Sequence, residues 1–275
     1  MLCTIAIMEK NKIIEWLNKK GFPFEIECSK KFKSKQFICQ HSLHYTDLET
    51  EKSREIDICA YKQINIGNFS FNVSFLIECK DSETPWLAIK STNSIKAEDY
   101  SSNIIGTKNT RFLKRAIGKS DLRTFTYNIS PDEMVAHHIQ QITTKGSKDM
   151  AYEGVQQALS CALSLRAKAN ESHLAFANLY IPVVITSSPI YSLDTDSEMN
   201  EENLIEEKFL KLTNVNSFSD TPISIVHLVA GDHLQEYCDL VEAEFHVMGN
   251  KMQKEITQIS KNNPTNPSTG KYTVI

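Results

Sequence analysis

Two short stretches carry charge where β-strands are expected to be apolar. In Arg54-Glu55-Ile56-Asp57-Ile58-Cys59 an aspartate stands between two isoleucines, and a later run, Phe75-Leu76-Ile77-Glu78-Cys79-Lys80, ends in two opposite charges. A carboxylate inside an apolar run is costly unless something pairs with it. Alternate residues of a strand share a face. Glu78 and Lys80 therefore point one way and Ile77 and Cys79 the other, while Glu55 and Asp57 share a face opposite Ile56 and Ile58. Neighbouring strands lie about 5 Å apart, so a register that sets Asp57 beside Glu78 brings two carboxylates to one point with an ammonium next to them. Two hard oxygen ligands with room for water suit Mg²⁺, which keeps several waters when bound, and Mn²⁺ accepts the same donors. Metal-bound water is a better nucleophile, and the cation offsets charge building on a phosphate. A lysine two residues from the ligand can orient that water or take its proton. The plainer reading is a solvated sheet face with weak cross-strand ion pairs.

These strands need a frame. Residues 11–20 bring Ile13, Ile14, Trp16 and Leu17 to one side of a helix that Gly21 ends. Pro23 suits the first turn of a second helix reaching about Lys35, with Cys28 and Phe32 marking its inward face. Three strand-like runs follow at 36–45, 54–64 and 69–80, joined by polar turns, and read as an antiparallel meander. Ser130-Pro131-Asp132-Glu133 has the form of a capped helix start. Residues 148–169 predict a helix with Val155, Ala158, Leu159, Ala162 and Leu165 on its apolar stripe. The runs 179–193 and 222–229 read as buried strands. Between them 194–207 carries seven acidic residues and no basic one, a solvated loop or helix end. Asp232 and His233 read as the cap of a C-terminal helix.

Helix, three-strand meander, helix and strand, with Asp on the second strand and Glu-x-Lys on the third, resembles the PD-(D/E)xK, or restriction-endonuclease-like, nuclease superfamily. The resemblance covers roughly residues 11–90 and 148–230. It implies an α/β fold with a restriction-endonuclease-like core, a mixed central sheet of about five strands flanked by helices. Asp57 matches the motif aspartate, Glu78 the variable acid and Lys80 the lysine; Ile56 stands where many members have proline. Many members add a glutamate on the first core helix, about a dozen residues before the aromatic that opens the first strand. Glu25, ahead of Phe37, has that spacing, with Glu27 as its neighbour and competitor. The resemblance makes Asp57, Glu78 and Glu25 the metal shell, Glu25 directly or through water. Some members carry a glutamine on the following helix; Gln156 flanks the apolar stripe and matches it better than Gln157. A Trp soon after the lysine, as in Glu78-Cys79-Lys80-Asp81-Ser82-Glu83-Thr84-Pro85-Trp86, is also similar to superfamily members.

Other residues rank lower. His137 and His138, adjacent on a helix, would point about 100° apart and cannot easily face one ion. Lys30, Lys31, Lys33 and Lys35 form a solvated helix face that gains interest only beside Glu25. Residues 91–125 hold seven Lys or Arg against three Asp or Glu, and Arg111, Lys114 and Arg115 are candidates for phosphate contacts that position nucleic acid without reading its sequence. A solvated insertion is the equal alternative.

The chain of 275 residues, 41% hydrophobic, is enough for one sizeable core. We expect one nuclease-like domain at 1–260 with an elaboration at about 91–147, and a flexible tail at 261–275, too polar and proline-broken to fold alone. A net charge of −4 excludes binding nucleic acid by overall charge, so a local patch must hold it. The seven cysteines form no C-x-x-C pair, which argues against a zinc ribbon and for reduced thiols. No apolar run reaches membrane-spanning length and residues 1–8 lack the features of a signal peptide, so a cytoplasmic location is expected. The expected function is Mg²⁺-dependent hydrolysis of phosphodiesters, DNA more than RNA, in a restriction or defence setting, alone or as a homodimer or with a partner subunit. The alternative is a nuclease fold retired from catalysis and kept as a binding or scaffold module.

Overall fold

The computed structural model describes residues 2–66, 69–92, 105–110, 125–126, 133–143, 149–171, 176–215, 223–262 and 273–274. Two helices, α1 (Leu2–Asn18) and α2 (Phe22–Ser34), precede the meander β1 (Ile38–Thr46), β2 (Ser53–Ile66) and β3 (Phe69–Lys80). The chain continues through β4 (Trp86–Thr92), β5 (Ile105–Gly106), β6 (Met134–Gln141), α3 (Met150–Glu171), β7 (Phe176–Thr186) and β8 (Ile190–Asp194). It closes with β9 (Ile205–Glu207), β10 (Phe209–Val215), β11 (Ile223–Ala230), α4 (Leu234–Asn262) and β12 (Thr273–Val274).

The α/β class and the mixed sheet hold, but among the described residues the sheet has twelve strands rather than about five. Its order is β1-β2-β3-β7-β11-β10-β6-β4-β8-β9, with β12 on β2 and β5 on β7. β1, β2 and β3 pair antiparallel as the short polar turns require, while β3, β7 and β11 run parallel. Short strands distant in sequence, β6 and β10 among them, extend this centre, and their pairing leaves no local periodic signal. Of residues 91–147, the described strands are built into the sheet: β5 pairs with β7, and β6 lies between β10 and β4. The helix start expected at 130–133 falls mostly outside the described residues, and Glu133 runs directly into β6, a strand. The acidic stretch 194–207 ends in β9, whose Glu207 accepts hydrogen bonds from Lys90 and Ser192. In the tail, Thr273 and Val274 pair with Asn65 and Ile64 of β2.

Each face of the central strands has its own core. On one side Cys28 and Phe32 of α2 and Tyr237, Val241 and Phe245 of α4 pack on Ile58, Val73, Phe75, Ile77 and Val183. On the other Ala151, Val155, Ala158 and Ala162 of α3 pack on Ile56, Leu76, Val184 and Leu228. Ile56 and Ile58 thus lie on opposite sides, although regular alternation puts them on one. β2 turns over at Asp57. Opposite it on β1, Ser42 adopts φ 50°, and the Ser42/Asp57 position is skipped in the β1–β2 pairing. Ile13, Ile14 and Trp16 of α1, expected on one side of that helix, are solvent-exposed.

Candidate active site

The β2–β3 ladder stops at Ile58–Ile77, one step before Asp57 and Glu78 would face each other. A side chain takes over there: the Cys79 N–H donates to Asp57 Oδ2 at 2.7 Å. This anchors Asp57 at the open end of the strand pair. Burial raises the Asp57 pKa above the usual carboxylate range, against the pull of the Cys79 N–H and the Lys80 ammonium.

Glu78 is 4% exposed. Its Oε1 accepts a hydrogen bond from Lys80 Nζ at 2.8 Å, and its Oε2 is buried without a partner. The other unpartnered buried side-chain atoms among the described residues, Asn72 Oδ1, Thr126 Oγ1 and Ser224 Oγ, belong to neutral groups. Burial first and the Asp57 charge second push the Glu78 carboxyl up to about 7, with Glu25 adding to the shift and Lys80 opposing it. Glu25 sits in the first turn of α2, where the helix dipole favours an acid. Burial, then Asp57 and Glu55, push it up to about 7 as well. Glu27, its competitor, is exposed. Asp57 thus raises the proton affinity of both Glu25 and Glu78, and Glu25 adds to that of Glu78, as like charges gathered together must.

Lys80 is clamped. Its Nζ donates to Glu78 Oε1 and, at 2.7 Å, to Gln157 Oε1 on α3. This corrects the choice between the two glutamines: Gln157 reaches the lysine, and Gln156 instead lines a groove between α3 and the β1–β2 turn. The helix can come this close because residue 154 is glycine. A Cβ there would stand 2.9 Å from Val184 Cγ1 and 3.1 Å from Lys80 Cε. Sequence reasoning missed Gly154, whose only signal was a helix-weakening residue inside a periodic helix.

It also missed the bracing behind the lysine. Asp149 Oδ1 caps α3, accepting from the N–H groups of Ala151 and Tyr152, and ties in the Gln141 N–H of β6. Gln141 in turn donates to Ser82 Oγ and Thr84 Oγ1 and accepts from the Met150 N–H. Trp86, fully buried, donates to Ser82 Oγ at 3.4 Å. The loop after Lys80 and the start of α3 are thereby joined into one unit.

Arg111, Lys114 and Arg115 lie outside the described residues. His137 and His138 lie on β6, not on a helix, and both are exposed. Asp232 and His233 form a 3₁₀ turn leading into α4, and His233 pairs with Glu236.

Among the described residues no three His, Cys, Asp or Glu side chains are gathered tightly enough to make a metal cage by themselves. A site of two carboxylates completed by water and phosphate oxygens, the usual habit of Mg²⁺, needs no such cage. Asp57 and the unpartnered Oε2 of Glu78 are the carboxylate oxygens that would supply such a site. The chain matches no family model, no curated protein and no solved structure.

Proposed function

We propose that this chain is a metal-dependent nuclease of the PD-(D/E)xK type, acting on DNA more than RNA. The observation that carries the reading is the unpartnered, buried Oε2 of Glu78, set among carboxylates that repel it and beside a lysine fixed by two acceptors. Asp57 and Glu78 hold Mg²⁺, or Mn²⁺ in its place, and Glu25 supports it through water. The cation supplies an activated water and offsets charge on the phosphate. Lysine has three N–H donors. Two are used by Glu78 and Gln157, and the third is left to orient the attacking water or a phosphate oxygen. Gln157, having no charge, fixes the direction of Nζ without neutralising it.

The Lys80–Glu78 ion pair favours a second reading, because a pair already compensated is what a retired scaffold would keep. One experiment separates the two. Linear, circular, single-stranded and branched DNA, and RNA, are incubated with the wild type and Asp57→Ala in Mg²⁺ or Mn²⁺. Cleavage by the wild type alone supports the nuclease. No cleavage together with no metal binding at millimolar concentration supports the scaffold.

A further inference from the structure

A groove of about 530 Å³ runs between α3 and the β1–β2 turn. Tyr45 and Gln157 line it, joined by a hydrogen bond from the Tyr45 hydroxyl to the Gln157 carbonyl at 3.2 Å. The same Gln157 holds Lys80, so the groove adjoins the candidate active site through this residue. The stripe of α3 next to its core-facing stripe forms one wall, with Tyr152, Gln156 and Arg166 along it, and Arg54 stands on the wall opposite.

We infer that this groove receives an unpaired nucleotide of the substrate strand, its base against Tyr152 and Gln156 and its phosphate toward Arg54 and Arg166. The inference rests on the nuclease reading and names its substrate class. The volume falls within the roughly 300–1,000 Å³ of small-molecule sites, enough for a nucleotide and too small for a duplex. Tyr152 is 59% exposed and stacks on no ring among the described residues. Base–aromatic stacking is sequence-tolerant and strong. Gln156 has an amide that both donates and accepts, as the edge of a base requires. The charge pattern excludes a phosphate chain laid along the floor, because Asp47, Glu49 and Glu153 line it too. Asp47 is already committed to the fold. It accepts from the N–H groups of Glu49 and Thr50 and from Ser160, and pairs with Arg54. Entered end-on, a nucleotide brings one phosphate between Arg54 and Arg166 instead of running a phosphate chain past all three acids. Gln156 then has a place in the site, one helix position from the residue that holds the lysine.

Binding is read by fluorescence anisotropy with a labelled single-stranded oligonucleotide and the blunt duplex of the same sequence. Asp57→Ala is the background, so that nothing is cut. Added Tyr152→Ala and Gln156→Ala should each weaken single-strand binding, Tyr152→Ala by roughly tenfold or more, and leave duplex binding unchanged. Tyr152→Phe should keep the affinity, which separates loss of stacking from loss of fold. Equal losses on both oligonucleotides, or unchanged single-strand affinity in both alanine variants, overturns the inference. If the wild type cuts DNA while that happens, only the groove assignment falls. If the wild type neither binds nor cuts any nucleic acid, the nuclease reading falls with it.

Discussion

Two buried charge clusters sit at different places along the same sheet, and they are finished differently. Around β10, β11 and α4, Lys211 pairs with Glu133 at 2.6 Å and lies over the Phe125 ring, and His227 Nδ1 is 2.7 Å from the Tyr237 hydroxyl. Burial pushes His227 down to about 3, so it stays neutral. The two carboxylate oxygens of Glu244 accept the N–H groups of Phe125 and Thr126 at 2.6 and 2.7 Å. There each charge is matched, as a structural cluster must be. Around Asp57 and Glu78 the carboxylates outnumber the lysine, and one oxygen is left open. The same fold thus matches every charge of one cluster, where only the neutral Thr126 hydroxyl lacks a partner, and leaves a carboxylate oxygen unmatched in the other. The open cluster also lies where a strand ladder stops, so its incompleteness costs the sheet little.

The largest expected effect is at the open cluster. Asp57→Ala or Glu78→Gln should lower cleavage by roughly a thousandfold or more, the several kcal/mol that a catalytic metal supplies. Melting temperature should hold or rise in Glu78→Gln, since a repulsive charge is removed, whereas Asp57→Ala also leaves the Cys79 N–H without its acceptor and should lose about 1 kcal/mol of stability. Wild-type turnover in either variant breaks the comparison. Next, Lys80→Ala should keep metal affinity yet slow single-turnover cleavage by about a hundredfold, the scale of a positioned acid–base group. Lys80→Arg should fail almost as badly, because a planar guanidinium cannot replace a point ammonium held between two acceptors.

The closed cluster should answer in stability. Glu244→Ala leaves two N–H groups without their acceptor and should destabilise the protein by about 2 kcal/mol or more, measured by urea unfolding. Cleavage per folded molecule should stay unchanged. Smaller still is Gly154→Ala. Alanine favours the helix by about 1 kcal/mol over glycine, but its Cβ forces Val184 and the Lys80 stem to shift. We expect several-fold slower cleavage with little change in metal affinity.

How much of this could be read from the residues alone depended on range. Asp57, Glu78 and Lys80 stood out because strand alternation is short-range and a charge in an apolar run is anomalous. Glu25 was placed only through the resemblance. Gln157 was missed in favour of Gln156 because the two differ by a single helix step, and the stripe in the sequence does not fix the helix's rotation on the sheet. The turn-over of β2 at Asp57 has no signal in a pattern that alternates as regularly as Ile56-Asp57-Ile58. Ser130-Pro131-Asp132-Glu133 satisfies the local rules of a helix start and so predicts a helix where β6 follows, because the pairing of β6 with β4 and β10 is non-local. Asp149, Gln141 and Ser82 are ordinary polar residues until the fold brings them together.

Protonation sharpens the contrast. Glu78 has a folded pKa of about 7 against an ordinary 4.5. A raised carboxyl binds more protons folded than unfolded, so its contribution to stability is full below the ordinary value and is lost as pH rises through about 7. The metal-free protein should therefore lose melting temperature over that window, and Glu78→Gln should flatten the slope. Calorimetric titration of Mn²⁺ into the wild type, Glu78→Gln and Glu244→Gln, above and below pH 7, tests the central claim most directly. The open Oε2 of Glu78 predicts binding to the wild type and Glu244→Gln that weakens as pH falls below about 7, and loss of binding in Glu78→Gln. No binding to the wild type at millimolar Mn²⁺, or equal binding by Glu78→Gln, would contradict it.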